Sequence, residues 1–205
     1  MKETLWTSTH ESPVGTLRSA VRSDGVLVAL GFEDSWSPLF ARVAVRFADP
    51  RVSPGVPVHV VRAIEAYFAG EVTALDALPV DAAGTEFQRR VWATLRMIPA
   101  GETRSYAAIA SAVGAPRAVR AVGAANGANP VVIAIPCHRV IASDGALHGY
   151  GGGLERKQWL LAHESAARPS QGMRQTPMAL QPMKGGDGQS ALVEQGFVQK
   201  VPLTA

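Results

Sequence analysis

An apolar run in the second half of the chain ends at the only cysteine and constrains how this region folds. The run covers residues 130–135 and leads into the sequence Pro136-Cys137-His138-Arg139-Val140. Consecutive apolar positions indicate a buried element, so we expect the thiol at the end of a buried segment and not on a loose loop. The imidazole and guanidinium that follow are expected to favour the thiolate, the form that attacks electrophiles. A lone cysteine is also commonly a small buried hydrophobe, so this segment alone leaves both roles open.

The single cysteine excludes several classes of site. One thiol forms no internal disulfide and cannot supply a thiolate-rich zinc or iron–sulfur centre, so we expect neither of these. The first residues, Met1 to Trp6, contain no long apolar stretch, which predicts neither a secretion signal nor a membrane span. Together with a free thiol, this predicts a cytoplasmic protein.

Charge is distributed unevenly along the chain. Residues 1–83 contain seven Lys/Arg against ten Asp/Glu, whereas residues 84–164 contain nine against five. The basic excess therefore lies on the segment that carries Cys137. It favours an anionic partner for that segment, although solvated arginines explain a charge of this size equally well.

The first 83 residues have the pattern of a small α+β scaffold domain. Apolar positions alternate on both sides of Ser23-Asp24-Gly25, which predicts a hairpin within residues 13–33 because glycine tolerates the positive φ of such a turn. We expect a further strand over Arg42 to Phe47 and a helix over Val58 to Phe68. Nothing in this unit has catalytic spacing.

A second domain is predicted over residues 84–164, after a boundary at Ala82-Ala83-Gly84. Thr85 is expected to cap a helix whose apolar stripe contains Phe87, Val91, Trp92 and Leu95. Two short helices, 107–113 and 117–126, are joined by a turn with glycine, which is the helix-turn-helix pattern. A closing helix is predicted over Leu154 to Glu164, and residues 165–205 are predicted to form a disordered tail.

The second helix of the pair is built from unusually small residues. Ala121 and Gly123 flank a stretch in which Arg120 is the one large side chain. Glycine destabilises a helix, so its presence indicates a face that another molecule approaches closely. Arginine on such a face is typical of a side chain inserted into DNA, but small residues also serve tight helix packing.

Several motifs in order resemble one family. Cys137 lies in a segment that resembles the O6-alkylguanine-DNA alkyltransferases, also called methylated-DNA–protein-cysteine methyltransferases. The similar motifs are Ala118-Val119-Arg120-Ala121-Val122-Gly123, Asn129-Pro130-Val131, Pro136 to Val140, Tyr150-Gly151-Gly152 and Trp159-Leu160-Leu161-Ala162-His163-Glu164. The resemblance is dense over about residues 85–164, and Ser12-Pro13-Val14-Gly15 resembles the family's amino-terminal domain more loosely.

The resemblance implies a fold and an activity. The fold would be α+β, with a small amino-terminal domain of antiparallel sheet plus helix, followed by a mainly helical domain containing the helix-turn-helix. The activity would be direct-reversal repair of double-stranded DNA, in which an alkyl group moves irreversibly from O6-alkylguanine to Cys137 after the nucleotide is flipped out through the minor groove. O4-alkylthymine would be a further substrate. The protein would need no cofactor and act as a monomer in solution, and whether it binds DNA cooperatively stays open.

Roles for individual residues follow from the same resemblance. Cys137 would accept the alkyl group. His138, oriented by Glu164, would draw off the thiol proton through a water, and Tyr106 would donate a proton towards guanine N3. Asn129 would be a hinge residue that bonds backbone. The carbonyl of Val140, the side chain of Tyr150 and the backbone near Gly151 would line the guanine pocket.

The DNA contacts implied by the resemblance lie around the second helix. Arg120 would fill the space left by the flipped nucleotide, and Ala121 with Gly123 would let the helix approach the minor groove. Tyr106 would crowd the flanking phosphate, with Arg117 and Ser143 as further DNA contacts. Two features depart from relatives. Val132 replaces a proline that some carry, and the amino-terminal cysteines with which some relatives bind zinc are absent, so we expect no metal.

Two other function classes remain open from the sequence. A cysteine hydrolase using Cys137, His138 and Glu164 would turn over an ester, although adjacent residues point in opposite directions on a strand and make a direct thiol–imidazole pair awkward. A non-enzymatic helix-turn-helix DNA binder would need polar side chains for direct readout, where this chain has mostly alanine and glycine.

Overall fold

A four-stranded sheet forms the first part of the chain. The computed structural model describes residues 2–55, 57–147 and 149–167. The sheet has the order β3-β2-β1-β4, and its strands are β1 (Thr4–His10), β2 (Leu17–Arg22), β3 (Leu27–Phe32) and β4 (Arg51–Pro54). The β2–β3 pair confirms the predicted hairpin, and Gly25 in its turn has a φ of +87°. Strands β1 to β3 are antiparallel neighbours, whereas β4, which the sequence analysis missed, runs parallel to β1.

The strand predicted over Arg42 to Phe47 is wrong, because this segment is helical. Helix α1 (Trp36–Ala44) continues into a 3₁₀ turn over Val45–Phe47. The apolar alternation there misled the sequence analysis, since Val45 is 81% exposed and faces no core. The buried contacts instead follow helical spacing, with Trp36 and Val43 turned towards the sheet.

The two longest predicted helices before residue 100 are confirmed. Helix α2 (Val58–Phe68) buries Val60, Ile64 and Tyr67. Helix α3 (Glu86–Arg96) begins with a capping box, in which Gln88 N donates to Thr85 Oγ1 at 3.3 Å and Thr85 N donates to Gln88 Oε1 at 2.9 Å. These reciprocal bonds satisfy backbone donors that the first helical turn leaves free.

The rest of the described chain is mainly helical. Helices α4 (Tyr106–Ala112) and α5 (Val119–Gly127) confirm the predicted pair of short helices, and Gly114 between them has a φ of +74°. Two short parallel strands, β5 (Arg104–Ser105) and β6 (Val140–Ile141), join the start of this pair to the cysteine segment. Helix α6 (Leu154–Ala166) closes the fold and runs two residues beyond its predicted end. The α+β class is confirmed, and most of the predicted tail, residues 168–205, lies outside the described residues.

Hydrogen bonds and a shared core join the two predicted domains. Leu30 N donates to Pro130 O at 3.0 Å, and Val132 N donates to Leu30 O at 2.8 Å, so the edge of the sheet pairs with the segment that leads to the cysteine. One hydrophobic cluster contains residues from both sides of position 84, including Phe32 and Leu160. The boundary itself stays a prediction. Within the described residues, no helix is both long enough and apolar enough to cross a membrane.

Replacing Thr85 by alanine is expected to lower the free energy of unfolding by about 1 kcal/mol, because the first turn of α3 loses its capping acceptor. Thr85→Ser keeps the hydroxyl and is the matched control, expected to stay within a few tenths of a kcal/mol. Urea unfolding of both variants measures the difference. Equal stability of the alanine and serine variants would show that the capping bond contributes nothing.

Candidate active site

The segment before the cysteine is a buried series of tight turns. Ala134 N donates to Val132 O at 2.8 Å, and Cys137 N donates to Ile135 O at 2.8 Å. Between the first pair, Ile133 has a φ of +70°, which is rare and strained for a β-branched residue. The predicted burial is therefore confirmed, but the chain reaches the thiol through turns and not through a regular strand.

Asn129 holds these turns in place. Its Nδ2 donates to Ile135 O at 2.8 Å and to Cys137 Sγ at 3.1 Å, while its Oδ1 accepts from Val131 N at 2.9 Å. Asn126, from α5, adds a bond from Nδ2 to Cys137 O at 3.2 Å. The thiol is thus fixed relative to the helix pair by two buried amide side chains.

The thiol is held in its protonated form. Cys137 is 3% exposed, and burial raises its pKa to about 11 even though Asn129 and Lys157 favour the thiolate. The expectation that the next two residues promote ionisation is wrong. His138 and Arg139 lie with Cys137 in a 3₁₀ turn, and both direct their side chains to Glu164. A reaction of this thiol at neutral pH therefore needs a base.

Glu164 is a fully buried carboxylate surrounded by donors. Its Oε1 accepts from His138 Nε2 at 2.9 Å and from Arg139 Nη2 at 2.8 Å, and its Oε2 accepts from Arg139 Nε at 2.9 Å and from Gly101 N at 3.3 Å. Burial alone would raise the pKa of Glu164, but the bonds from His138 and Arg139 outweigh it and hold that pKa well below its usual range.

The ionised carboxylate decides which nitrogen of His138 carries the proton. A carboxylate only accepts, so Nε2 must donate and Nδ1 keeps a free lone pair. Within the described part of the chain, Nδ1 has no hydrogen-bond partner. Burial lowers the pKa of His138, with Glu164 opposing, so the imidazole is neutral at physiological pH and suited to act as a base.

A cavity of about 230 Å³ opens beside the thiol. Cys137, Asn129, Tyr150 and Gly151 line it on one side, and residues of the first part of the chain line the other, among them Phe32, Leu39 and Arg42. Gly152 is required at the rim, since a Cβ there would lie 2.3 Å from the ring of Phe32. The cavity therefore depends on both parts of the chain.

Tyr106 stands at the start of α4. The helix is capped by Ser105, whose Oγ accepts from Ala108 N at 3.1 Å, and the pairing of β5 with β6 ties this start to the cysteine segment. The hydroxyl of Tyr106 lies 3.4 Å from Gly149 O. Burial raises the pKa of Tyr106, so the phenol keeps its proton.

The carbonyl of Val140 binds a lysine of α6. Val140 is fully buried, is not among the residues that line the cavity, and its carbonyl accepts from Lys157 Nζ at 2.7 Å. Sequence reasoning missed Lys157, which shares one face of α6 with Leu160 and Glu164. A lysine at this spacing on the apolar stripe was the available signal. The assignment of Val140 to the guanine pocket stays a prediction.

The residues predicted to contact DNA lie outside the cavity. Four of them are exposed: Arg117 in the turn before α5, Arg120 and Ala121 within α5, and Ser143 in the turn after β6. A Cβ at Gly123 would meet nothing within 4 Å, so packing inside this chain does not require glycine there. No group of three or more His, Cys, Asp or Glu that could hold a metal occurs in the described ranges.

Comparison with known proteins gives consistent results. Residues 86–166 match the family model described as 6-O-methylguanine DNA methyltransferase, DNA binding domain. A methylated-DNA–protein-cysteine methyltransferase of Mycolicibacterium paratuberculosis is 50% identical over 163 residues, which is 79% of this chain and 93% of that protein. The structure of Mycobacterium tuberculosis OGT in complex with DNA is 44% identical with a TM-score of 0.69, covering 80% of this chain and 96% of that one. An O6-methylguanine methyltransferase structure from the same organism has a TM-score of 0.68 and 41% identity, over 82% and 96%.

Replacing Lys157 by methionine is expected to raise the pKa of Cys137 further, because the positive charge near the thiolate is lost. The rate at which iodoacetamide alkylates Cys137 should then rise only at higher pH than in the unmodified protein. Gln158→Met, at the exposed next position of α6, is the matched control and should leave the profile unchanged. If Lys157→Met also leaves it unchanged, the charge of Lys157 does not act on the thiol.

Proposed function

The chain belongs to the methylated-DNA–protein-cysteine methyltransferase family, and we propose that it repairs double-stranded DNA by accepting the alkyl group of O6-alkylguanine on Cys137. The observation that carries this proposal is the buried, protonated thiol at the cavity, followed in the chain by an imidazole whose tautomer a buried carboxylate fixes. This arrangement provides a nucleophile, a base and an orienting acid.

The reaction is a displacement at the alkyl carbon. The bond from Cys137 Sγ to that carbon forms as the bond from the carbon to guanine O6 breaks. The thiol proton passes through a water to Nδ1 of His138, and Tyr106 supplies a proton to guanine N3 so that the base leaves neutral. Asn129 supports the thiolate with its hydrogen bond to Sγ, made at 3.1 Å in the free protein.

The product explains why each chain acts once. A thioether has no acyl carbon that water can attack, so the hydrolysis step that regenerates a cysteine hydrolase is missing. Cys137 is also the only cysteine, so no second thiol of the chain can take over the group. The protein is consumed in proportion to the lesions it repairs.

The DNA is engaged through α4 and α5. O6 lies within the base stack, so the nucleotide must be flipped into the cavity, at a cost of a few kcal/mol for unstacking and unpairing. Exposed Arg120 fills the vacated space, and the open face at Ala121 and Gly123 approaches the minor groove. Arg117 and Ser143 contact the backbone. The same cavity accepts O4-alkylthymine.

Several finer features of the proposal come from the sequence. These are the division into domains at residue 83, the monomeric state, the cytoplasmic location and the hinge role of Asn129. The direct-readout regulator is disfavoured, because Asn126, the polar side chain of α5 besides Arg120, is buried and bonded to the Cys137 carbonyl.

Incubation with duplex DNA containing O6-methylguanine should add the mass of one methylene group to the peptide that contains Cys137, with at most one equivalent per chain. Cys137→Ala should show no gain yet still bind the duplex. Continuous turnover of an ester by the folded protein, without any gain in mass, would support the hydrolase instead and contradict the proposal.

Replacing Arg120 by alanine is expected to slow repair of duplex DNA by about tenfold or more, since the flipped state loses the side chain that fills the stack. Reaction with free O6-benzylguanine, which needs no flipping, should change little. Arg62→Ala, an exposed arginine on α2, is the matched control for loss of charge. An equal loss of rate with both substrates would show that Arg120 supports the fold and does not act on the DNA.

A further inference from the structure

Glu164 has one more donor, and it comes from the first part of the chain. Tyr67, near the end of α2, donates from its hydroxyl to Glu164 Oε1 at 2.8 Å. Both side chains are buried, with Tyr67 1% exposed and Glu164 fully enclosed. Residues 1–83 were expected to form only a scaffold, so this contact extends the network beyond the residues of the second part.

The geometry of the contact is fixed at both ends of Tyr67. His163 Nε2 donates to the Tyr67 carbonyl at 2.7 Å, while the carboxylate of the neighbouring Glu164 accepts a hydrogen bond from the Tyr67 hydroxyl. The ring also packs edge-on against Phe68 at 5.2 Å and against the ring of His163 at 5.3 Å. Two consecutive residues of α6 therefore hold the backbone and the tip of one tyrosine.

The hydroxyl of Tyr67 and the imidazole of His138, the proposed base, donate to the same oxygen of Glu164. Oε1 accepts from Tyr67 Oη, His138 Nε2 and Arg139 Nη2, all within 2.9 Å. Burial and the nearby Glu164 raise the pKa of Tyr67, so the phenol keeps its proton and can only donate here. Each donor withdraws negative charge from Oε1, and the charge that remains determines how strongly the carboxylate holds a proton on His138.

We propose that Tyr67 is a positioning residue of the transfer reaction, which orients Glu164 from the first part of the chain and keeps His138 neutral. The inference rests on the proposed function, because it concerns the base that activates Cys137. Without the hydroxyl, Oε1 carries more charge towards His138 Nε2 and stabilises the imidazolium. The imidazole then becomes available as a base only at higher pH.

Charged groups on neighbouring elements also act on this network. Arg139 bonds to Glu164 from the turn, and Lys157 from α6 opposes protonation of His138. Asp76, which interacts by charge first with Arg139 and then with Arg96, acts on Tyr67. Tyr67→Phe removes none of these charges. A shift in the pH dependence therefore begins with loss of the contact between Tyr67 and Glu164, and any change in the bond from Arg139 to the same oxygen follows from that loss.

The test is Tyr67→Phe, which removes the hydroxyl and keeps the ring. On the acidic limb of the pH profile, where His138 is mostly protonated, the rate of alkyl transfer from O6-benzylguanine to Cys137 should fall by up to about tenfold, the scale of one hydrogen bond to a charged group, and near neutral pH the loss should be smaller. The rising limb of its pH profile should move to higher pH. The profile of iodoacetamide alkylation, which needs no repair activity, should move to lower pH, because a more stable imidazolium beside Cys137 favours the thiolate.

Phe68→Leu is the matched control, because Phe68 packs on Tyr67 without any polar contact to Glu164. It should lower the thermal midpoint and leave both pH profiles in place. If Tyr67→Phe behaves like Phe68→Leu, Tyr67 is only structural and the inference is overturned.

If the unmodified protein transfers no alkyl group, the proposed function fails, while the iodoacetamide profile still decides the role of Tyr67. A variant too unstable for kinetics is compared with Phe68→Leu at lowered temperature, where both are folded.

Discussion

The structure depends on keeping one carboxylate ionised where water does not reach it. Removing a carboxylate from water costs several kcal/mol even after the protein relaxes, and that cost is recovered only when donors surround the charge. Glu164 meets this requirement with donors from His138, Arg139, Tyr67 and the backbone of Gly101. These belong to the cysteine turn, to α2 and to the loop after α3. With α6, which carries Glu164, four segments far apart in sequence must therefore come together before the charge is satisfied.

The same constraint gives the site its chemistry. An ionised Glu164 forces the proton of His138 onto Nε2 and leaves Nδ1 able to accept one, as the proposed base must, while burial keeps the thiol of Cys137 protonated. The cysteine is thus unreactive towards chance electrophiles and ready for a substrate that enters the cavity. Such restraint suits a thiol that reacts once, since each unproductive reaction would consume one chain.

Much of this arrangement could be predicted from the sequence, and the predictions that were wrong or missing have identifiable physical reasons. The hairpin at Gly25, the cap at Thr85 and the short helices around Gly114 follow local rules of turn and helix formation. The strand predicted over residues 42–47 was wrong because apolar residues can alternate by chance at the end of a helix. The effect of His138 and Arg139 on the thiol was misjudged because adjacency in sequence does not give side-chain direction. Tyr67 and Lys157 were missed because their roles exist only through contacts between distant segments.

The protonation state of His138 is the most direct measure of this account. Nitrogen-15 NMR of the histidine rings, with the His138 signals assigned by comparison with His138→Gln, distinguishes the two tautomers and the imidazolium. The account predicts a neutral ring at pH 7 with the proton on Nε2 and an unprotonated Nδ1. An imidazolium at that pH, or a proton on Nδ1, would contradict it, because neither form can take the proton of Cys137 through Nδ1.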